Sequence, residues 1–261
     1  MRMPAFARLT ARNIIVNIDP GTLIFMLGLP TLYLFVMGFM FQGIDPNGGL
    51  SLVYNGVDVK YTTFLAPGII ALQAFTAGNV GGSMLWSDRR WGMFEQIMVG
   101  PFRRSEYLLG IIFVSILFSL IGSAIMIAFA FTIPVQFKIT LAGIGLFILT
   151  MIVGTMLFSS IFLIISGLAK SMQAYNTITI LLFFLLDFAS TAFYPITSQT
   201  PEWLQIVAGI NPLSFISNIL RSSFISGVNS SSMYYSGILT VAMLIFFGIS
   251  LRIYKNIRSG I

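Results

Sequence analysis

The side chains able to do chemistry in this sequence are few, and two absences decide what kind of chemistry is left. Neither Cys nor His occurs, which excludes disulfides, Cys/His zinc sites, Ser-His or Cys-His nucleophile pairs and a histidine titrating near neutrality. There are no clustered carboxylates and no base beside a nucleophile, so neither a membrane enzyme nor a purely structural role has a motif of its own. With no Gly-Lys dipeptide anywhere, a Walker A phosphate cradle is missing, and any ATP must bind another chain. The remaining polar groups suit binding and passage. Gln73, Thr76, Ser83 and Ser87 fall at i, i+3, i+10 and i+14, one stripe of a helix, with Asn79 at its edge. Asn176, Asp187, Thr191 and Tyr194 form a second stripe. In a lipid-spanning helix such groups line a path or join helices, and Ser and Thr also bond their own backbone; Gly78, Gly81 and Gly82 add a signal of close packing. Asp187 is the costliest, since a central charge opposes insertion by about 2.5–3.5 kcal/mol. A functional site, a pair with Lys60 or Arg221, and snorkelling to the interface all stand open for it.

A different chemistry is concentrated in "SDRRWGMFEQIMVGPFRRSEY", residues 87–107, with four Arg, two Glu and one Asp in a chain only 8% charged. Ser87 suits a helix cap and Asp88 its first turn, and Trp91, Phe94 and Met98 at i, i+3 and i+7 share a face. Gly100-Pro101 ends this short helix, and Ser105 with Glu106 opens the next. Its arginines fix topology and meet lipid headgroups. Its aromatic face suits a helix that takes a push from a cytoplasmic partner.

The elements that position these groups follow from composition. A chain 57% hydrophobic with mean hydropathy +0.93, and charged far below the soluble average of roughly 25%, is an integral membrane protein. Because a bilayer core needs roughly 20 apolar residues per helix, the intervals between charges yield six spans at 21–42, 62–86, 107–133, 140–169, 171–194 and 232–251. Residues 203–220, "WLQIVAGINPLSFISNIL", carry Gly209, Asn211 and Pro212 at their middle and read as a re-entrant hairpin within 195–231. Residues 1–20, with Phe6, Leu9, Ile14, Ile15 and Ile18 apolar and Arg8 and Arg12 a turn apart, read as an amphipathic interfacial helix ended by Asp19-Pro20-Gly21. The fold class is therefore all-α, a single membrane domain over 1–261 without an internal repeat.

The formal charge of +6 does not point to nucleic acid, because the basic residues are scattered between apolar runs rather than gathered on a soluble face. With the N-terminus inside, Arg2, Arg8, Arg12, Arg89, Arg90, Arg103, Arg104, Lys170, Arg252, Lys255 and Arg258 are cytoplasmic, and Lys60, Lys138 and Arg221 are outside. Both termini and the loop 87–106 are thus expected on the cytoplasmic side of the cell membrane. The first apolar run lacks a small-residue cleavage site and reads as a span, not a secretory signal.

Three segments carry a resemblance. "DRRWGMFEQIMVGPFRRSEYLLG" resembles the segment after the second span in permeases of the type-2 ABC exporter family, with its charged pair, Gly, Glu-Gln, Pro and Arg-rich entry to span three. Pro201 followed by "NPLSFISNILR", Asn211 to Arg221, resembles that family's signature of Pro, an apolar residue and a downstream Arg, although Phe215 replaces the usual Tyr, His, Arg or Ser. "FLAPGI", Phe64 to Ile69, is similar to the family's entry to span two. The resemblance implies that residues 87–99 are a coupling helix placing Arg89, Arg90, Trp91, Phe94 and Glu95 against a separate ATPase subunit, which would hold the ATP and magnesium. It also implies that 1–20 is a connecting helix, that 202–221 is re-entrant on the outer side, and that a second permease copy completes the transporter. Spans two and five would then line the path through Gln73, Thr76, Ser83, Asn176, Asp187 and Thr191. Cargo in such a family includes drugs, lipids and lipid-linked glycans, and small outer loops with 14% aromatics favour an amphipathic one. The rival reading is a secondary transporter driven by protons or sodium through Asp187.

Overall fold

The computed structural model describes residues 5–17, 20–42, 51–54, 56–100, 103–197 and 199–256. Arg2, Asp19, Asp45, Pro101 and Arg258, on which parts of the expected topology rest, lie outside the described residues.

The chain opens with α1 (Ala5–Asn17) and α2 (Pro20–Gln42). Two strands, β1 (Ser51–Tyr54) and β2 (Val57–Lys60), pair antiparallel with Ser51 opposite Lys60 and Tyr54 opposite Val57. Among the described residues this hairpin is an addition to a fold that is otherwise mostly helical, as the all-α expectation has it. Gly56 takes the left-handed backbone between them (φ 76°), which glycine adopts without a side-chain penalty, and Val59 buries against Phe64, Phe224 and Ile225.

α3 (Tyr61–Arg90) follows and is the axis of the bundle, buried along most of its length in spite of its polar residues. It packs on α5 (Arg104–Ala130) and α6 (Leu141–Leu168). The contact with α6 is close because glycine permits it. A Cβ at Gly78 would meet the Phe158 Cβ at 2.8 Å, and one at Gly82 the Phe162 Cβ at 2.7 Å. Phe75 fills the space between them, its ring edge-on to Phe158 at 5.2 Å and to Phe162 at 5.0 Å.

After α6 come α7 (Met172–Phe188), α8 (Glu202–Ile210), α9 (Pro212–Arg221), a π-helical turn Ser222–Ser226, and α10 (Ser230–Asn256). Five described helices, α2, α3, α5, α6 and α10, are long and apolar enough to cross a membrane. A sixth span exists if α8 and the Pro212–Ser226 helix, bent by 79°, are taken together. The expected fifth span over 171–194 is shorter than anticipated: the helix stops at Phe188, after 17 residues, or about 26 Å of rise against a hydrocarbon core of about 30 Å.

Long-range hydrogen bonds orient the bundle. Arg89 reaches the end of α6, and Arg104 reaches the end of α10. At the other end Tyr61 donates to the Phe193 carbonyl and Lys138 donates its backbone N–H to Phe224. The short helix α4 (Met93–Val99) therefore lies at one end of the bundle, and the hairpin, α8 and α9 lie at the other.

Candidate functional site

At the α4 end, expectation and structure differ in the boundary of the charged helix. Ser87 and Asp88 do not start a new helix but occupy the last turns of α3, which continues to Arg90. The break is Gly92, at φ 70°. Because the helix restarts at Met93, Trp91 is parted from Phe94 and Met98, which pack against the same core cluster. Phe94 is 3% exposed, with its ring 5.4 Å from Tyr107 and 6.3 Å from Tyr254, so α4 is pinned into α5 and α10. Trp91 is 74% and Val99 90% exposed, while Glu95 and Gln96 point to the surface. The result is a lever: one buried aromatic anchor and an outer face free to meet something else.

The charges around it are divided between inner and outer work. Arg12 of α1 grips Asp88 through two bonds of 2.6 Å, and Tyr107 donates to the same carboxylate at 2.7 Å. Bidentate pairing of this kind is the strong form of the Arg–carboxylate contact. The hydrogen bond to Asp88 holds the Arg12 guanidinium above its ordinary pKa, ahead of the opposing effect of desolvation. Arg89 donates to the Ser166 and Gly167 carbonyls at 2.7 and 3.1 Å, and Arg104 to those of Tyr254 and Lys255 at 2.9 and 3.2 Å. Both cap helix C-termini whose last carbonyls have no partner within the helix. Arg90, by contrast, lies over the rings of Trp86 and Trp91 at 5.4 and 5.8 Å. Of the five residues expected at a partner surface, Arg90, Trp91 and Glu95 are exposed, Phe94 is buried and Arg89 is partly buried against α6.

Within the bundle, Gln73 is buried and donates to the Met26 carbonyl of α2 at 3.4 Å. Thr76 and Ser83 bond carbonyls of their own helix. Asn79 accepts from Tyr175 of α7 at 2.7 Å. This stripe sits in side-chain packing between helices.

The second stripe is not continuous. Asn176 is exposed, and Thr191 and Tyr194 lie beyond the end of α7. Asp187 is 1% exposed, and neither carboxylate oxygen has a hydrogen-bond partner among the described residues. Pairing with Lys60 or Arg221 is thereby corrected. Arg221 instead donates to the Phe64, Thr191 and Ala192 carbonyls, and Asn211 donates to those of Leu186 and Ala189 at 2.8 and 2.9 Å. These two side chains take up the carbonyls released where α7 stops, which is why a helix can end inside the bundle. Sequence reasoning assigned neither role. No group of three or more acidic, His or Cys side chains that could hold a metal occurs among the described residues.

A family model described as ABC-2 type transporter matches residues 4–225. The chain belongs to the ABC-2 type transporter family. This ABC-2 chain is similar to the "Putative transport permease ycf38" of Pyropia yezoensis, 30% identical over 208 residues, which are 75% of this chain and 65% of that one. It is also similar to the protein of the same name in Cyanophora paradoxa, 29% identical over 226 residues covering 82% and 72% of the two chains. "Nodulation protein J" of Rhizobium leguminosarum bv. viciae is 24% identical over 242 residues, covering 87% and 84%. The ABC-2 chain thus spans about two thirds of the Pyropia relative's length.

Proposed function

We propose that this chain is the membrane permease subunit of an ATP-driven exporter, and that a separate ATPase subunit carrying ATP and magnesium docks on Trp91, Arg90, Glu95 and the outer face of α4. One observation carries the docking surface: a seven-residue helix is anchored by the buried Phe94, with Trp91 exposed just before it and Val99 exposed at its end, at the basic end of the bundle. Force on α4 would pass from Phe94 to Tyr107, on to Asp88 and Arg12, and so to α5, α3 and α1 together. The positive-inside bias supports a cytoplasmic position for this end and, in this reading, an outer-leaflet, re-entrant α8–α9 bend.

In this reading two copies form the transporter in the cell membrane. Asn176 and Asp187 are the better path candidates, since Thr76 and Ser83 spend their hydroxyls on their own helix, the Thr191 hydroxyl is bonded to Asn218 and Arg221, and Gln73 is held against α2. The cargo is amphipathic.

Purification of the chain from its native membrane in mild detergent, followed by mass spectrometry of what accompanies it, tests the reading. Wild type is expected to bring an ATP-binding subunit that Trp91→Ala/Glu95→Lys loses while eluting as a folded protein. Repeated recovery of folded wild type with no ATPase sinks it. The unpartnered buried Asp187 favours one second reading, a proton- or sodium-driven transporter. Transport that needs an ion gradient rather than ATP, and disappears in Asp187→Asn, is its signature.

A further inference from the structure

Arg221 is a buried cation whose partners carry no counter-charge. It is 0% exposed, stacks 3.6 Å from the Phe64 ring centroid, and sends Nε to the Phe64 carbonyl at 3.0 Å. Nη2 serves the Thr191 and Ala192 carbonyls. Nη1 reaches the Asn218 Oδ1 at 3.1 Å and the Thr191 Oγ1 at 3.4 Å. Every acceptor is neutral, and among the described residues no carboxylate stands within 4.0 Å of the guanidinium. A charge removed from water is ordinarily paired, and guanidinium is the group proteins use to pair with carboxylate and phosphate.

The same side chain lines a cavity of about 340 Å³, room for a ligand group and not merely one water. Thr191, Asn218, Ser222, Ser231 and Tyr235 also line it, so its polar wall is largely hydroxyl and amide. The Nη1 bonds include the longest of the Arg221 set, and both go to residues of this wall. They are the ones a ligand oxygen can replace without breaking the carbonyl contacts that hold α9 to α3 and to the segment after α7.

We propose that this cavity binds an oxyanion, a phosphate or carboxylate group, with Arg221 supplying the charge and Nη1 the donor. The site needs no ATPase and stands whether or not the transport reading holds. In the orientation proposed above it opens at the outer face, so the oxyanion arrives either as an anionic lipid headgroup or as a soluble anion.

Two variants that spare the Arg221 contacts test this. Asn218→Asp puts a carboxylate on the position that already accepts from Nη1, giving the guanidinium an internal partner. Ser231→Asp places a negative charge at the exposed edge of the wall. In the lipid arm, the full chain is reconstituted in nanodiscs of mixed phosphatidylglycerol and phosphatidylcholine, and native mass spectrometry reads which lipid stays bound. In the soluble arm, phosphatidylcholine nanodiscs are titrated with inorganic phosphate against chloride of equal ionic strength, and the unfolding midpoint is read. Wild type is expected to prefer the anion in one arm, which names the source, and both variants to weaken that preference roughly tenfold, the scale of one charge-assisted contact. Wild type indifferent in both arms, or both variants keeping the wild-type preference, overturns the proposal.

Discussion

Asp88 receives two guanidinium bonds from Arg12 and a phenol bond from Tyr107, so it joins α1, α3 and α5 through one carboxylate. Asp88→Asn keeps the shape, removes the charge and leaves the half-buried Arg12 guanidinium without its counter-charge. The expected loss is roughly 2 kcal/mol, between the values of exposed and buried pairs, read as a lower unfolding midpoint in detergent. Its neighbours separate in a complementary way. Phe94→Ala empties an aromatic site against Tyr107 and Tyr254 and is expected to cost about 3 kcal/mol, whereas Trp91→Ala, on an exposed ring, is expected to stay within about 0.5 kcal/mol. Thermal unfolding of the two variants side by side checks this, and equal losses would mean that Trp91 is packed. The sequence spacing 91, 94, 98 had united these residues on one face. Gly92, at positive φ, parts Trp91 from Phe94 and Met98, and no periodicity count registers a single-residue break of this kind.

At the scale of elements, α3 and α6 meet as closely as they do because side chains are missing at the contact. Gly78→Ala would bring a Cβ to 2.8 Å from the Phe158 Cβ and the Ser159 backbone nitrogen, and overpacking of this kind costs about 1–3 kcal/mol. Gly237→Ala in α10 meets nothing within 4 Å and is expected to be neutral or stabilising by up to about 1 kcal/mol through helix propensity. Unfolding midpoints of the pair, falling for Gly78→Ala and level or rising for Gly237→Ala, check the packing. Gly78 and Gly82 announced this contact in the sequence, while Gly81 between them faces Ser115 of α5. The hairpin was announced more faintly, by Asn55-Gly56 between valine-bearing runs, a dipeptide favoured in two-residue turns. The early end of α7 had no local announcement at all.

For the molecule as a whole, the described basic residues separate between its ends. Arg8, Arg12, Arg89, Arg90, Arg103, Arg104, Lys170, Arg252 and Lys255 belong to the end that carries α4, and Lys60, Lys138 and Arg221 to the other. Orientation in the membrane is expected to follow that asymmetry. Since the chain contains no cysteine, a single introduced thiol reports its own side. A membrane-impermeant maleimide is expected to label Lys138→Cys in intact cells and Gln96→Cys only after permeabilisation. The reverse pattern would place α4 outside and end the ATPase-docking proposal at once.

The amino-acid sequence by itself determined the membrane class, the approximate positions of the long helices, the bend at Asn211-Pro212 and the charge asymmetry. Each depends on properties summed over a window of neighbouring residues: enough apolar length to cross a bilayer, a proline that breaks a helix, a bias in Lys and Arg. Only the tertiary structure decided that Arg12 belongs to Asp88, 76 residues away, that Asn211 and Arg221 take the carbonyls at the end of α7, and that Asp187 pairs with neither Lys60 nor Arg221. Those outcomes rest on a buried donor finding an acceptor from a distant element at about 3 Å. No window along the chain contains both partners, so the choice among Lys60, Arg221 and none could be made only where the helices come together.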